Sequence, residues 1–368
     1  MPRLNCLFKE QGQSAWLDNL TRPELQDGTM ARLVADGVRG VTANPTIVAK
    51  AIQSSDAYDR QFHDLIGSGH TVEDAYWKLV ITDVVDALRI LRSTFDESDG
   101  SDGFVSIEVT PACAHDTQAT KKAARDLHQR ISEPNLLVKI PATTAGVSAI
   151  EAMVGEGHSI NVTLIFSLAR YGQVLEAYLS GPETLARRGG DLSAAHSVAS
   201  FFVSRVDTEV DRRLEELDTE EDLALRGRAA IAQAKLAYQM FREAHSGERW
   251  QRLAARGARV QRPLWASTST KNPLYSDTLY VDNLIGPDTV NTLPENTMKA
   301  FEDHGTLART IDRDLAGAND VMHALARAGI DMDDVGRTLE NQGIAAFQAS
   351  FAHVLATLGS KTSLVTDD

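Results

Sequence analysis

The chain predicts an α/β fold, a closed (β/α)8 barrel of the TIM-barrel class with additional helices, and three observations point to it. Strand-length apolar runs alternate with helix-length segments along most of the 368 residues, the pattern of βαβ units around a parallel sheet. Eight such runs occur, the number that closes this kind of barrel. No GxGxxG follows the first run and no GxxxxGK[ST] appears anywhere, so an open nucleotide-binding sheet, which would show the same alternation, loses support.

In chain order the strand candidates are Ser14–Asp18, Gly40–Asn44, Phe104–Val109, Leu136–Ile140, Ser159–Ile165, Val198–Val203, Pro263–Ser267 and Thr289–Leu293. Leu264, Trp265 and Ala266 form the apolar centre of the seventh, and the eighth carries the weakest signal. Between them, Thr71 opens a helix with a Thr-x-x-Asp capping box. Tyr76, Val80, Val84, Leu88 and Leu91 then recur at helical spacing, with Asp83, Asp86 and Arg89 between them. An alanine-rich helix is expected from about Asp222 to His245. Thr306–Ala318 reads as a linker, Asp331–Leu358 as one or two further helices, and Ser360–Asp368 as a frayed tail. The expectation is one barrel domain over residues 1–368, with a C-terminal helical extension at about 306–360 packed on it.

The composition suits such a domain, with 43% hydrophobic and 24% charged residues. Cys6 and Cys113 form neither a disulfide framework nor a CxxC pair, which suits a reducing compartment. No long apolar run follows Met1-Pro2-Arg3-Leu4-Asn5, so no signal peptide is read there. No stretch approaches the ~18–20 apolar residues of a membrane span. The expected location is cytoplasmic. A net charge of −14 argues against a nucleic-acid partner. It does not exclude a phosphorylated substrate, since remote carboxylates are screened beyond a Debye length of ~8 Å and a few local cations suffice.

Barrel enzymes carry their chemistry at the C-terminal ends of the strands, and alternation sorts each strand into two faces. Val105, Ile107 and Val109 oppose Ser106 and Glu108; Ile160, Val162 and Leu164 oppose Ser159, Asn161 and Thr163; Val41 and Ala43 oppose Thr42 and Asn44. The aliphatic sets belong under the helices, so the polar sets point into the barrel, where an unpaired polar group is costly. Lys139 is the sharpest of these residues. A lysine near the end of a buried strand either reaches solvent, bridges a carboxylate, or is held as a neutral amine able to attack a carbonyl. Glu108 reads as its counter-ion or as a general acid/base. Asp18 reads as a helix cap or a proton acceptor, and Thr163 as a partner for nearby backbone or part of a site. Taken singly, these alternatives stay open. Taken together, Asp18, Asn44, Glu108, Lys139 and Thr163 come from five strands, all near the same end.

At these residues the chain resembles the transaldolase family. The motifs run in order: Val41-Thr42-Ala43-Asn44-Pro45-Thr46, Ser106-Ile107-Glu108-Val109, Val138-Lys139-Ile140-Pro141-Ala142-Thr143, Ile160-Asn161-Val162-Thr163-Leu164-Ile165-Phe166-Ser167, and Ser200-Phe201-Phe202-Val203-Ser204-Arg205-Val206-Asp207. The likeness spans about Ser14 to Asp303, and the length resembles the long form related to transaldolase–glucose-phosphate isomerase fusions. It implies a cofactor-free, metal-free transferase of the pentose phosphate pathway that moves a dihydroxyacetone unit between sugar phosphates. Lys139 would form the Schiff base, Glu108 would move protons through a water held by Thr163, and Asp18 would take the C4 hydroxyl proton. Asn44, Asn161 and Ser200 would hold the bound unit. Arg205 would hold the phosphate, unless it simply pairs with Asp207. Ser269 and Lys271 stand where the family often has an arginine. The resemblance also allows a homodimer. Another Schiff-base aldolase, such as a fructose 6-phosphate aldolase, and a catalytically silent barrel acting as a binding protein are the alternatives. No HExxH or other histidine spacing suggests a metal-dependent aldolase.

Overall fold

A computed structural model describes residues 2–362. In it eight parallel strands close in chain order into one barrel. They are β1 (Gln13–Leu17), β2 (Val38–Thr42), β3 (Phe104–Glu108), β4 (Leu136–Pro141), β5 (Ile160–Ile165), β6 (Ser197–Phe202), β7 (Arg262–Ala266) and β8 (Thr289–Leu293). Every expected run is a strand. The eighth, the faintest in the sequence, has the expected bounds and seals the barrel by pairing with β1 from Gln13↔Thr289 to Leu17↔Leu293.

β2 departs furthest from expectation, lying two residues earlier in the chain. Asn44 therefore falls outside the strand and caps the helix Pro45–Ser54. Its Oδ1 accepts from the backbone N–H groups of Thr46 and Ile47 at 3.0 Å each, while Pro45 at the first helical position has no N–H to satisfy.

The barrel interior is layered. At the floor lies Trp16, and Gly40 is a glycine because a Cβ there would stand 2.5 Å from the indole ring. Asp102, fully buried just before β3, gathers that floor. It accepts from Ser14 Oγ (2.7 Å), Trp16 Nε1 (3.3 Å), Arg39 Nε (2.7 Å) and Arg262 Nη1 (3.1 Å). In the middle layer Asn161 Nδ2 donates to Ser106 Oγ at 2.9 Å and Ser200 Oγ donates to Asn161 Oδ1 at 2.7 Å, while Thr42 and Thr292 share a bond of 2.8 Å. These are the inward polar sets that alternation assigns, and they satisfy one another. Alternation fails at Leu164, where φ is +58° and the β5–β6 register shifts. This bulge turns Leu164 toward the C-terminal helix and away from the aliphatic row.

Among the helices, Thr71 caps Val72–Glu97, its Oγ1 accepting from Asp74 N at 3.1 Å. Asp83 is not on a solvent face. It lies among Leu79, Val80, Val84 and Ala87 on the buried side of that helix and is matched by Arg22 Nε at 2.7 Å. The single helix expected from about 222 to 245 is two, Glu220–Leu223 and Ala229–Ala244. They are broken by a turn at Gly227, whose φ of +70° and contact with the Tyr275 ring exclude a side chain. The expected linker ends early, since Asp314 caps a helix over Leu315–Arg327. Its remaining residues are tied down, with the Thr310 and Ile311 N–H groups donating to Ile285 O. One helix then runs from Met332 to Thr362, so Ser360–Thr362 are helical and not a tail. Residues 363–368 of that expected tail lie outside the described residues. No helix among the described residues is long and apolar enough to cross a membrane.

Removing Asp102 strands two arginines at the barrel floor. Asp102→Ala is expected to lower unfolding stability by about 3–5 kcal/mol, the cost of breaking a buried ion pair from one side, read as a shift of the urea midpoint. A shift under ~1 kcal/mol would mean that the floor does not depend on this carboxylate.

Candidate active site

The residues singled out from the sequence arrive at the C-terminal end of the barrel because their strands are in register there. Glu108 of β3 pairs with Lys139 of β4, and Lys139 in turn with Asn161 of β5. Lys139 Nζ stands 3.7 Å from Glu108 Oε2 and donates to Ala43 O at 3.4 Å. Lys139 is 6% exposed and Glu108 7%. Lys139 therefore does not reach solvent, and a carboxylate lies beside it. Burial lifts the Glu108 carboxyl from 4.5 to about 7, with the Lys139 charge pulling it back down.

Two buried oxygens here make no hydrogen bond with the described residues, Glu108 Oε2 and Thr163 Oγ1. Thr163 thus does not serve neighbouring backbone. Asp18 follows β1 and is held by its neighbours: its N–H donates to Leu293 O at 2.9 Å, and Oδ1 accepts from Thr42 Oγ1 at 2.9 Å. It caps nothing, since the next helix, Arg22–Gln26, is capped by Thr21. Burial raises the Asp18 carboxyl, and the charge of Lys139 is the largest effect opposing it.

Arg205 opens the helix after β6 and makes no ion pair among the described residues. Asp207 instead accepts from Ala230 N at 2.7 Å and Tyr280 Oη at 3.0 Å. Burial and the neighbouring Arg205 both draw the Lys271 ammonium down, burial most. Lys271 Nζ donates to Ser269 Oγ at 2.6 Å. The segment carrying both is anchored at each end. Ser267 adopts φ +57° and shares a 2.9 Å hydroxyl bond with Ser204, while Tyr275 Oη donates to Asp211 Oδ2 at 2.7 Å.

Asp18, Asn44, Lys139, Thr163, Ser200, Arg205, Ser269 and Lys271 line one cavity of about 200 Å³. Glu108 flanks it behind Lys139, in a small apolar recess with Tyr76 and Phe351. Asn161 lies one layer below, fully buried, with both side-chain polar atoms engaged by Ser106 and Ser200. A basic, hydroxyl-rich mouth above a buried amine and two raised carboxyls can hold a phosphate while a carbonyl meets the amine.

Seven lining residues were not singled out as site residues from the sequence: Thr42, Phe202, Ala266, Ser267, Thr292, Pro294 and Phe347. Thr42 belongs to the inward set of its strand and was legible. Phe347 comes from the C-terminal helix, and nothing local marks it. A larger cavity of about 350 Å³ opens at the opposite end, around Asp102, Arg262 and His196. Its Asp102 and Arg262 pair with each other, and that end of a barrel serves stability.

A family model described as Transaldolase/Fructose-6-phosphate aldolase matches residues 15–358. The chain is 49% identical to the Transaldolase of Mycolicibacterium smegmatis over 351 residues, 95% of each chain. It is 48% identical to Transaldolase 1 of Streptomyces coelicolor, covering 95% of this chain and 92% of that one. Identity to the Transaldolase of Thermobifida fusca is 48%, covering 95% of each.

Asp207, which helps anchor this region through Tyr280, has its carboxyl raised by burial from 3.8 to about 7. A raised carboxyl stabilises the fold fully below its unfolded value and loses that contribution as pH climbs through the folded one. Asp207→Asn should therefore lose less thermal stability than the parent between pH 5 and pH 8. Equal losses in the two proteins would contradict the assignment.

Proposed function

We infer that this chain, which belongs to the transaldolase/fructose-6-phosphate aldolase family, is a transferase that passes a dihydroxyacetone unit from a ketose phosphate to an aldose phosphate through Lys139. Sedoheptulose 7-phosphate or fructose 6-phosphate is the donor, as the pentose phosphate pathway requires. The Lys139–Glu108 pair, 3.7 Å apart beneath a cation-rimmed cavity, is the observation that carries this reading.

The amine adds to the C2 carbonyl, and the carbinolamine loses water as Glu108 supplies a proton through a water held by Thr163. A carboxyl poised near 7 gives and regains a proton readily at neutral pH. Asp18 takes the proton of the C4 hydroxyl, the C3–C4 bond breaks, and the aldose phosphate leaves. The three-carbon unit stays on Lys139 as an enamine, and its C3 attacks the aldehyde of the acceptor. Asn44 and Ser200 border the bound unit, with Asn161 holding Ser200 in place from below. Arg205 grips the phosphate with a planar fork, helped by the point charge of Lys271 and the hydroxyl of Ser269. No step calls for a metal or an organic cofactor.

Kinship to the long form rests on the helices Leu315–Arg327 and Met332–Thr362 and on relatives of similar length. A cytoplasmic location is supported by Cys6 and Cys113, which are both free. A homodimer rests on the resemblance alone.

Transfer is tested by mixing fructose 6-phosphate with erythrose 4-phosphate and following sedoheptulose 7-phosphate. The reading requires product to form with little free dihydroxyacetone. Rapid release without an acceptor would favour the aldolase alternative, and no reaction at all the silent barrel. Glu108→Gln should cut kcat at least ~100-fold, the usual reach of a general acid. Schiff-base formation in the parent should fall as pH rises through about 7, and the substitution should abolish that fall. A variant with the parent's rate and pH profile would remove Glu108 from the mechanism.

A further inference from the structure

The C-terminal helix Met332–Thr362 crosses the mouth of the barrel, and its path can be read from close contacts. Gly343 lies against the Leu164 side chain on the β5 bulge, where a Cβ would stand 2.9 Å from Leu164 Cδ2. Seven residues on, about 10 Å along the axis, Ser350 bonds Thr46 at 2.8 Å in the helix that follows β2. Next to it Phe351 meets the Tyr76 ring edge-on at 5.2 Å. Since β3 and β4 lie between β2 and β5, this span passes over Glu108 and Lys139. At its middle Phe347, 7% exposed, enters the cavity that Lys139, Thr163 and Arg205 line. Ion pairs clamp the helix to the barrel's own helices, with Arg213 to Asp334 at 2.8 Å and Arg170 to Glu340 at 3.3 Å.

Phe347 faces charges and hydroxyls across this cavity, with Phe202 and Pro294 its only other bulky apolar lining residues, and its ring contributes little to binding a sugar phosphate. Its effect is to keep water out. The enamine on Lys139 has two fates. Its C3 can attack an aldehyde, or C3 can take a proton from solvent, after which water adds to C2 of the iminium and the C2–N bond breaks. That second course returns the free lysine and dihydroxyacetone, the water consumed balancing the one lost when the Schiff base formed.

Resting on the functional reading above, we propose that Phe347 determines the partition between transfer and release by shielding the lysine-bound three-carbon unit from water. The C-terminal helix is then part of the site, adding a specificity-determining wall to the one apolar ring, Phe202, that the barrel strands supply.

The test compares free dihydroxyacetone formed from fructose 6-phosphate alone with transfer to erythrose 4-phosphate, in the parent, Phe347→Ala and Phe347→Leu. Phe347→Ala should raise the release-to-transfer ratio about tenfold, a shift of ~1.4 kcal/mol between the two barriers. Phe347→Leu, which keeps an apolar side chain, should stay near the parent. An unchanged ratio in Phe347→Ala, including a parallel fall of both rates, would overturn the proposal and leave Phe347 a packing residue. A parent without transfer would instead sink the functional reading itself.

Discussion

The Lys139–Glu108 pair is the constraint around which the upper barrel is arranged. Two ionisable side chains on adjacent strands, each almost wholly buried, are costly unless their surroundings answer them. The barrel answers unequally. Below the pair, Ser106, Asn161 and Ser200 bond one another, and Thr42 is shared between Thr292 and Asp18. Beside it, the carboxyls of Glu108 and Asp18 are raised by burial, and oxygens of Glu108 and Thr163 stay unengaged by the described residues. Two oxygens with unspent hydrogen-bonding capacity thus lie in the site that holds the amine. A site that stabilises charge appearing in a transition state needs such preorganised groups.

The two ends of the cavity are held by different means. The floor is fixed by strand register, which sets Lys139 against Glu108 with little freedom. The mouth is built from segments outside the strands and is fixed by side chains. Tyr275 and Tyr280 tie the region of Lys271 to Asp211 and Asp207, and Arg170 and Arg213 clamp the C-terminal helix. Rigid strands thus carry the bond-making groups, while anchored loops and a helix hold the phosphate end and exclude water.

Period-two alternation made the inward polar sets legible in the sequence, and with them Glu108 and Thr163, while position near a strand end marked Lys139 and Asp18. The signal is strong because a closed barrel leaves one face of every strand no route to solvent. Three things escaped it. Asn44 was read as a strand residue, but the proline after it and its own capping bonds start a helix there. Leu164 was assigned to the aliphatic row, but a bulge breaks the alternation. Asp83 was placed between the apolar positions of its helix, yet it is buried against Arg22, 61 positions away in the chain. Phe347 shows the limit most clearly, since it joins the site only through a helix that returns from the far end of the chain. No local pattern marks such a residue.

Borohydride reduction in the presence of fructose 6-phosphate, followed by peptide mass mapping, tests the central claim most directly, because it asks where a sugar carbon becomes bonded to the protein. Irreversible inactivation with a single dihydroxyacetone-derived adduct, on Lys139, is the expected result. An adduct on a different lysine, or none on any, would contradict it.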